Sequence, residues 1–291
     1  MLHEPSAAAP PARPDARPLE IDGLRLDAIG LHEVLARVER ACDTRSPLHV
    51  VTVNVGHLSL ARGDDALRRA INAAGLAIVD GRLLLWLARL RGTPSPEQVT
   101  GHDLVREGLA LAARRGWRVF LLGGAPGVAA SLARTLERER PGLRAEGAEG
   151  GRFTDDGRCD GDAEILARIR AFAPHLLFVA LGAPKQELWL ARNLQASGAL
   201  VGAGVGGVFD TLAGTLGRAP RWMQVAGLES PYQLAVAPRR FARRYLLRDP
   251  PTLLRVAAAV TASRLRELRG SRAPRGLGER PGAERAERCP R

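Results

Sequence analysis

The sequence predicts an α/β protein in which a parallel β-sheet is covered by helices on both faces. Apolar, often β-branched runs recur along the chain, and amphipathic helical patterns separate them. Glycine or a polar residue follows most of these runs. Strands that are apolar throughout are typical of parallel sheets buried between two layers of helices, which is why we expect this architecture.

The elements can be justified in chain order. Apolar or β-branched density predicts strands at 48–55, 76–80, 117–124, 175–182 and 199–207. Apolar positions at helical spacing predict helices at 65–75, 102–116, 128–140 and after 182, and glycines end the first two. We expect residues 19–228 to form one continuous α/β core.

The two ends of the chain differ from this core. Residues 1–18 and 266–291 are rich in Pro, Ala, Gly or Arg and are expected to be disordered tails. The first tail has no apolar segment like that of a signal peptide. No stretch of about 18 uncharged apolar residues predicts a transmembrane helix. The three widely separated cysteines fit a reducing cytoplasm, where we expect this protein.

Residues 229–265 are predicted to form a helical, basic C-terminal appendage. Five arginines recur at helical spacing, and the apolar pattern at 252–265 predicts a further helix; the arginines are Arg239, Arg240, Arg243, Arg244 and Arg248. Cationic and apolar surfaces together favour docking on an anionic membrane. The alternative is a last core helix with a solvated basic face.

The net charge of +12 and the pI near 11.2 indicate an anionic partner, which could be nucleic acid, a membrane or a phosphorylated substrate. A solvated, arginine-rich surface is the alternative. Aromatic residues make up only 4% of the chain, which argues against stacking on single-stranded nucleic acid. Cys42, Cys159 and Cys289 are far apart, so they indicate neither a disulfide framework nor a zinc site.

Polar residues and glycines converge on the carboxyl ends of the predicted strands, where ligands bind in open parallel sheets. They are Asp80, Gly123, Gly124, Lys185, Gln186, Gly206 and Gly207. Asp80 could act as a general base, but the residues around it alone favour an ordinary Asp-Gly turn. Thr52 and Asn54 alternate on one face of their strand. They could bind a sugar or phosphate, or satisfy a strand end.

Lys185 is the only lysine in the chain; every other basic residue is arginine. A compact ammonium and a planar guanidinium are not interchangeable at a tight site, so this position could be functional. A lysine at a solvated helix start could equally occur by chance.

Glycine-rich segments occur at 121–127 and 204–210, and the first of them precedes a predicted helix, whose N-terminal amides attract phosphate. Neither matches the dinucleotide fingerprint or the P-loop. No spacing of His, Asp or Glu suggests a metal site, so we expect no metal and no cofactor. A diphosphate group would then need arginines, which the segment 239–248 could supply.

Several strings, in this order, resemble the WecG/TagA/CpsF family, glycosyltransferase family 26, from about residue 20 to 248. They are VTVNVGH, IVDGR, TGHDL, FLLGGAPG, VALGAPKQELW, GVGGVFDTLAGTLGRAPRWMQVAGLE and PRRFARRYL. The resemblance implies a Rossmann-like core and an inverting, metal-independent transfer from a UDP-sugar to a polyprenyl-diphosphate-linked saccharide. It also implies exopolysaccharide, capsule or cell-wall polymer synthesis at the inner face of the cytoplasmic membrane.

The resemblance assigns roles to individual residues. The catalytic base falls on Asp80, and substrate contacts fall on Thr52, Asn54 and Gln186. We group the glycines at the strand ends, Lys185 and Asp210 with these substrate-binding residues. The arginines that would stabilise the leaving diphosphate are Arg239, Arg240, Arg243 and Arg244. Self-association is a further expectation.

Two positions depart from the family pattern. Gln98 stands where many members have arginine, and Ser230 stands where many have tryptophan. These changes bear on sugar specificity. They also keep open the alternative of a member that has lost catalysis and serves as a scaffold. A nucleic-acid-binding protein, motivated by the pI alone, is the rival from another class.

Overall fold

The computed structural model describes residues 19–90, 98–226 and 228–270. The strands are β1 Leu19–Ile21, β2 Leu24–Leu26, β3 Leu48–Val53, β4 Leu76–Val79, β5 Arg118–Gly123, β6 Arg144–Ala148, β7 Leu176–Ala180 and β8 Val201–Gly204. The helices of the core are α1 Leu31–Thr44, α2 Val55–Ala61, α3 Asp65–Ala73, α4 Arg82–Leu90, α5 Gly101–Arg115, α6 Val128–Glu139, α7 Asp162–Phe172, α8 Lys185–Ser197, α9 Val208–Leu212 and α10 Arg221–Ala226.

Six strands form one parallel sheet in the order β4-β3-β8-β7-β5-β6. Apolar cores cover both of its faces, because successive side chains along each strand point to opposite sides. Val50 belongs to the apolar core that includes residues of α1, α5, α6 and α9, whereas Val51 belongs to the core that includes residues of α2, α3 and α4. The predicted fold class is confirmed.

The topology creates a crevice between β3 and β8. These two strands are neighbours in the sheet. The chain leaves β3 through α2, which packs on one face, and leaves β8 through α9, which packs on the other. Such a switch point separates the loops at the carboxyl edge of the sheet and leaves room for a ligand.

The sequence interpretation did not identify the hairpin β1–β2, the edge strand β6, or the helices α1, α2, α4, α7, α9 and α10. The antiparallel hairpin β1–β2 turns at Asp22 and Gly23, both with positive φ, and the Asp-Gly pair between alternating apolar residues was the available signal. The edge strand β6, RAEGA, pairs only with β5. Its polar residues carry little strand signal, because one side of an edge strand lies open to solvent.

The C-terminal segment is helical, as predicted for 229–265. It comprises α11 Glu229–Val236, α12 Pro238–Ala242, a π-helical turn at Arg243–Arg248 and α13 Asp249–Gly270. Val256 and Val260 of α13 are buried in the same core as α2 and α4. In the described residues, no helix is both long and apolar enough to cross a bilayer.

The structure bears only in part on the predicted tails. Residues 1–18 and 271–291 lie outside the described residues. The second tail was predicted to start at 266, but α13 runs to Gly270, so residues 266–270 are helical. The boundary between core and appendage at 228 stays a prediction.

Candidate active site

A cleft of about 460 Å³ lies at the carboxyl ends of β3, β4 and β8. The structure brings together in it six residues that the sequence singled out: Thr52, Asn54, Asp80, Gln186, Gly206 and Gly207. Residues of the appendage form the opposite wall: Glu229, Ser230, Gln233, Phe241, Arg244, Tyr245 and Arg248. The cleft is therefore built from both the sheet and the C-terminal segment.

A second cavity of about 670 Å³ adjoins this cleft at the ends of β5 and β7, and the two share Gly182, Gly206 and Leu216. Gly124, Lys185 and Asp210 line the second cavity. Gly123 lines neither cavity, although its positive φ of 95° shapes the turn that leads to Gly124. Together the two cavities offer space for two ligands that meet near Gly206.

Asp80 is half-buried in the first cleft. Its backbone N–H donates to the Val53 carbonyl at 2.8 Å, and the Gly101 N–H approaches its carboxylate at 3.5 Å. Burial, followed by the charge of Glu229, raises the pKa of Asp80 to about 7, and the Gly101 amide, His57 and Arg244 each oppose this rise by a smaller amount. A carboxyl group with a pKa near neutrality in a cleft is suited to general-base catalysis.

Thr52 and Asn54 place polar groups at the end of β3. The Thr52 hydroxyl donates to the Gly204 carbonyl across the crevice at 3.2 Å. Asn54 is the N-cap of α2, and its Oδ1 accepts from the Gly56 N–H and from the Arg244 guanidinium, both at 2.9 Å. Asn54 thus joins the core to the appendage, while the substrate-binding role of both residues stays a prediction.

Glu187 organises the floor of the cleft from a fully buried position on α8. Its Oε1 accepts from His57 Nε2 at 3.1 Å and from the Gln186 amide at 2.7 Å. His57 Nδ1 accepts the Asn54 backbone N–H at 3.2 Å, so the ring proton lies on Nε2. These donors, and chiefly the interaction with His57, lower the pKa of Glu187 against the effect of burial.

Gln186 holds two loops together. Its Oε1 accepts the Gly182 N–H at 3.1 Å and the Gly206 N–H at 3.0 Å. Its amide lies directly on Gly204, where an added Cβ would meet Nε2 at 2.7 Å, so β8 needs a glycine there. Gln186 is only 3% exposed. The sugar contact assigned to Gln186 stays a prediction. In this structure its amide oxygen accepts hydrogen bonds from the two loops.

Lys185 lies in the wall of the second cavity. Its Nζ donates to the Phe153 carbonyl at 3.2 Å and pairs with Asp155 at 3.3 Å. The lone lysine therefore ties the loop after β6 to the start of α8. The glycine-rich turn before α6 is also engaged, because the Gly127 N–H donates to the Glu149 carboxylate.

The arginines predicted for the leaving group separate into two groups. Arg239 and Arg243 have exposed side chains that do not line the cleft, and the side chain of Arg240 lies outside the described residues. Arg244 lines the cleft, and so does Arg248. Both pair with the buried Asp249 at 3.2 Å, which orients them. Arg248 was not among the arginines predicted for the leaving diphosphate, although its i, i+4 spacing from Arg244 was visible in the sequence.

Several further cleft residues could not be assigned from the sequence. They are His57, Glu229, Gln233 and Tyr245. Their segments were predicted only as family motifs or as part of the basic helical appendage, without a role for the individual residue. Gln98 follows residues 91–97, which the structure does not describe. Nothing in the structure explains why glutamine stands here in place of the arginine of many family members. Within the described residues, no group of three potential metal ligands lies together.

Substitution of Glu187 tests the network on the cleft floor. We expect Glu187→Leu to destabilise the fold by about 3 kcal/mol, because it leaves the buried donors of His57 and Gln186 unpaired. Glu187→Gln keeps an acceptor oxygen and should retain most of the stability. Urea unfolding checks both variants. Equal stability of Glu187→Leu and the unsubstituted protein would contradict the stabilising role of Glu187 on the cleft floor.

Comparison with known proteins agrees with the geometry. An N-acetylglucosaminyldiphosphoundecaprenol N-acetyl-beta-D-mannosaminyltransferase from Bacillus spizizenii is 29% identical over 201 residues, which is 69% of this chain and 76% of the relative. The model of the glycosyl transferase WecG/TagA/CpsF family matches residues 19–266. Because this match covers most of the folded region, including the cleft and the appendage, the chain belongs to the WecG/TagA/CpsF family of glycosyl transferases.

Proposed function

We propose that this protein transfers a hexose or N-acetylhexosamine from a UDP-sugar to a saccharide carried on a polyprenyl diphosphate, with inversion and without a metal. The observation that carries the proposal is Asp80, whose pKa is raised to about 7 in a cleft that also holds two oriented arginines. A base and a cationic site in one cleft are what glycosyl transfer from a nucleotide sugar requires.

The reaction follows from this arrangement. Asp80 accepts the proton of an acceptor hydroxyl while that oxygen forms a bond to the anomeric carbon of the donor. The bond from the anomeric carbon to the diphosphate oxygen breaks on the opposite face, and its electron pair leaves with UDP. Attack opposite the leaving group inverts the configuration at that carbon.

The leaving diphosphate gains negative charge in this step. Arg244 and Arg248 can stabilise it, because Asp249 and Asn54 already hold the Arg244 guanidinium in the cleft. Preorganised cations lower the barrier since little reorganisation is needed when charge develops. Cationic side chains in this position would take the part that a metal ion plays in other transferases.

The relative suggests the substrates to try first. Its name gives an N-acetylmannosaminyl group as the transferred sugar and N-acetylglucosaminyl diphosphoundecaprenol as the acceptor. We infer a related lipid-linked acceptor for this chain, in a pathway of exopolysaccharide, capsule or cell-wall polymer synthesis. A hexose donor remains an alternative within the same reaction.

A lipid-linked acceptor favours a peripheral position on the cytoplasmic membrane. Three leucines of the C-terminal segment face solvent: Leu246, Leu247 and Leu254, with exposures of 59%, 71% and 75%. Arg239 and Arg243 are exposed in the same segment. Apolar side chains beside cations suit the headgroup region of an anionic leaflet.

UDP release with EDTA present tests the reaction. We expect one UDP-sugar to give release that depends on a short-chain polyprenyl diphosphate N-acetylglucosamine. Asp80→Asn should lower kcat by roughly 10²–10⁴-fold, because the general base is lost. Unchanged turnover in Asp80→Asn would remove Asp80 from this role. A well-folded protein without turnover on any pair would favour the scaffold alternative, and salt-dependent binding of duplex DNA would favour the nucleic-acid one.

The pH profile tests the electrostatics of Asp80. Only the ionised carboxylate can accept a proton, so kcat/KM should rise with pH through about 7. Glu229→Gln removes a negative neighbour and should move this limb to lower pH; Arg244→Ala removes a positive one and should move it to higher pH. The control Arg239→Ala, outside the cleft, should leave the midpoint unchanged. Shifts of the opposite sign would contradict the assignment.

Membrane docking can be tested by flotation with vesicles that contain anionic phospholipid. The double variant Leu246→Ser with Leu247→Ser should weaken binding roughly tenfold or more, because two apolar side chains no longer leave water. Leu212→Ser, which changes an exposed leucine of the core, is the matched control. If the double variant binds the vesicles as tightly as Leu212→Ser and the unsubstituted protein do, this part of the appendage is not the docking surface.

A further inference from the structure

One face of α11 lies against the Asp80 cleft. Glu229, Ser230 and Gln233 line that cleft, and none of them lines the second cavity. Ser230 and Gln233 are three residues apart, so they project from the same side of the helix. The face presents a hydroxyl, an amide and a carboxylate, the groups that pair with sugar hydroxyl and N-acetyl groups.

The amide of Gln233 is already oriented. The Tyr245 hydroxyl donates to its Oε1 at 2.5 Å, and Tyr245 in turn stacks on Phe241 at 5.6 Å and against the Arg244 guanidinium at 5.1 Å. With Oε1 engaged, the donor nitrogen Nε2 is the free end of the amide. Within the described part of the chain, neither Nε2 nor the Ser230 hydroxyl has a hydrogen bond to protein.

The position of this face relative to Asp80 decides which ligand it meets. Asp80, Glu229 and Ser230 line the same cleft, and the charge of Glu229 raises the pKa of the Asp80 carboxyl group. In the proposed reaction the hydroxyl that loses its proton to Asp80 belongs to the acceptor. A ligand whose hydroxyl meets Asp80 and that also touches α11 is then the acceptor sugar. The second cavity, which α11 does not line, remains for the nucleoside of the donor, whose diphosphate meets Arg244 and Arg248 in the first cleft.

We propose that α11 recognises the acceptor sugar, with Gln233 Nε2 donating to one sugar oxygen and the Ser230 hydroxyl bonding to another. This inference rests on the proposed function and adds specificity-determining residues to it. Ser230 also sets the space available, because a large side chain at this position would enter the cleft. The acceptor that fits is a lipid-linked pyranose whose polar groups face the appendage.

Steady-state kinetics with separately varied donor and acceptor test the inference. Gln233→Ala and Ser230→Ala should each raise the acceptor KM roughly three- to tenfold, the effect of one lost hydrogen bond, with the donor KM unchanged within about twofold. Ser230→Trp should raise it further. Ala235→Trp, on the exposed side of the same helix, is the matched control and should match the unsubstituted protein. Thermal unfolding shows whether each variant is folded.

An unchanged acceptor KM, or an equal rise in both KM values, would overturn the inference while the proposed function stands. Calorimetric titration of short-chain polyprenyl diphosphate N-acetylglucosamine gives a readout that needs no turnover. Tighter binding by the unsubstituted protein than by Gln233→Ala supports the inference, and equal binding overturns it. Absence of turnover by the unsubstituted protein with every donor would count against the proposed function instead.

Discussion

The buried carboxylate of Glu187 is the group on which the arrangement of the site depends. A charge without access to water must be met by donors, and here they are His57 and Gln186. His57 fixes the start of α2 through the Asn54 N–H, and Gln186 fixes the loops after β7 and β8. One anion thus sets the spacing of three strand ends around the cleft.

The same chain of contacts continues into the appendage. The backbone N–H of Asn54 donates to His57, and the Asn54 side chain accepts a hydrogen bond from the Arg244 guanidinium. Asp249 forms ion pairs with both Arg244 and Arg248. The cationic half of the cleft therefore depends on the packing of α13 against the core. A site completed by a segment with exposed leucines would couple the proposed catalysis to the surface on which that segment lies.

Much of the fold could be predicted because it depends on local pattern. The strands of the sheet interior read as apolar runs, since both of their faces are buried. The edge strand β6 was not predicted because its sequence, RAEGA, contains no β-branched or large apolar residue. The hairpin β1–β2 was not predicted either, although its Asp-Gly turn was a usable signal. Roles of individual residues were harder: Lys185 was singled out by its rarity, yet its contacts are with Phe153 and Asp155 in the loop after β6.

The sequence by itself determined the fold class, the family and the gathering of Asp80, Thr52, Asn54 and Gln186 at one edge of the sheet. Parallel strands bring their carboxyl ends together whatever the details of packing, so position along a strand was enough. Only the tertiary structure decided which arginines reach the cleft and that α11 forms its far wall. Those outcomes depend on hydrogen bonds between residues as far apart as Asn54 and Arg244, and no local periodicity records them.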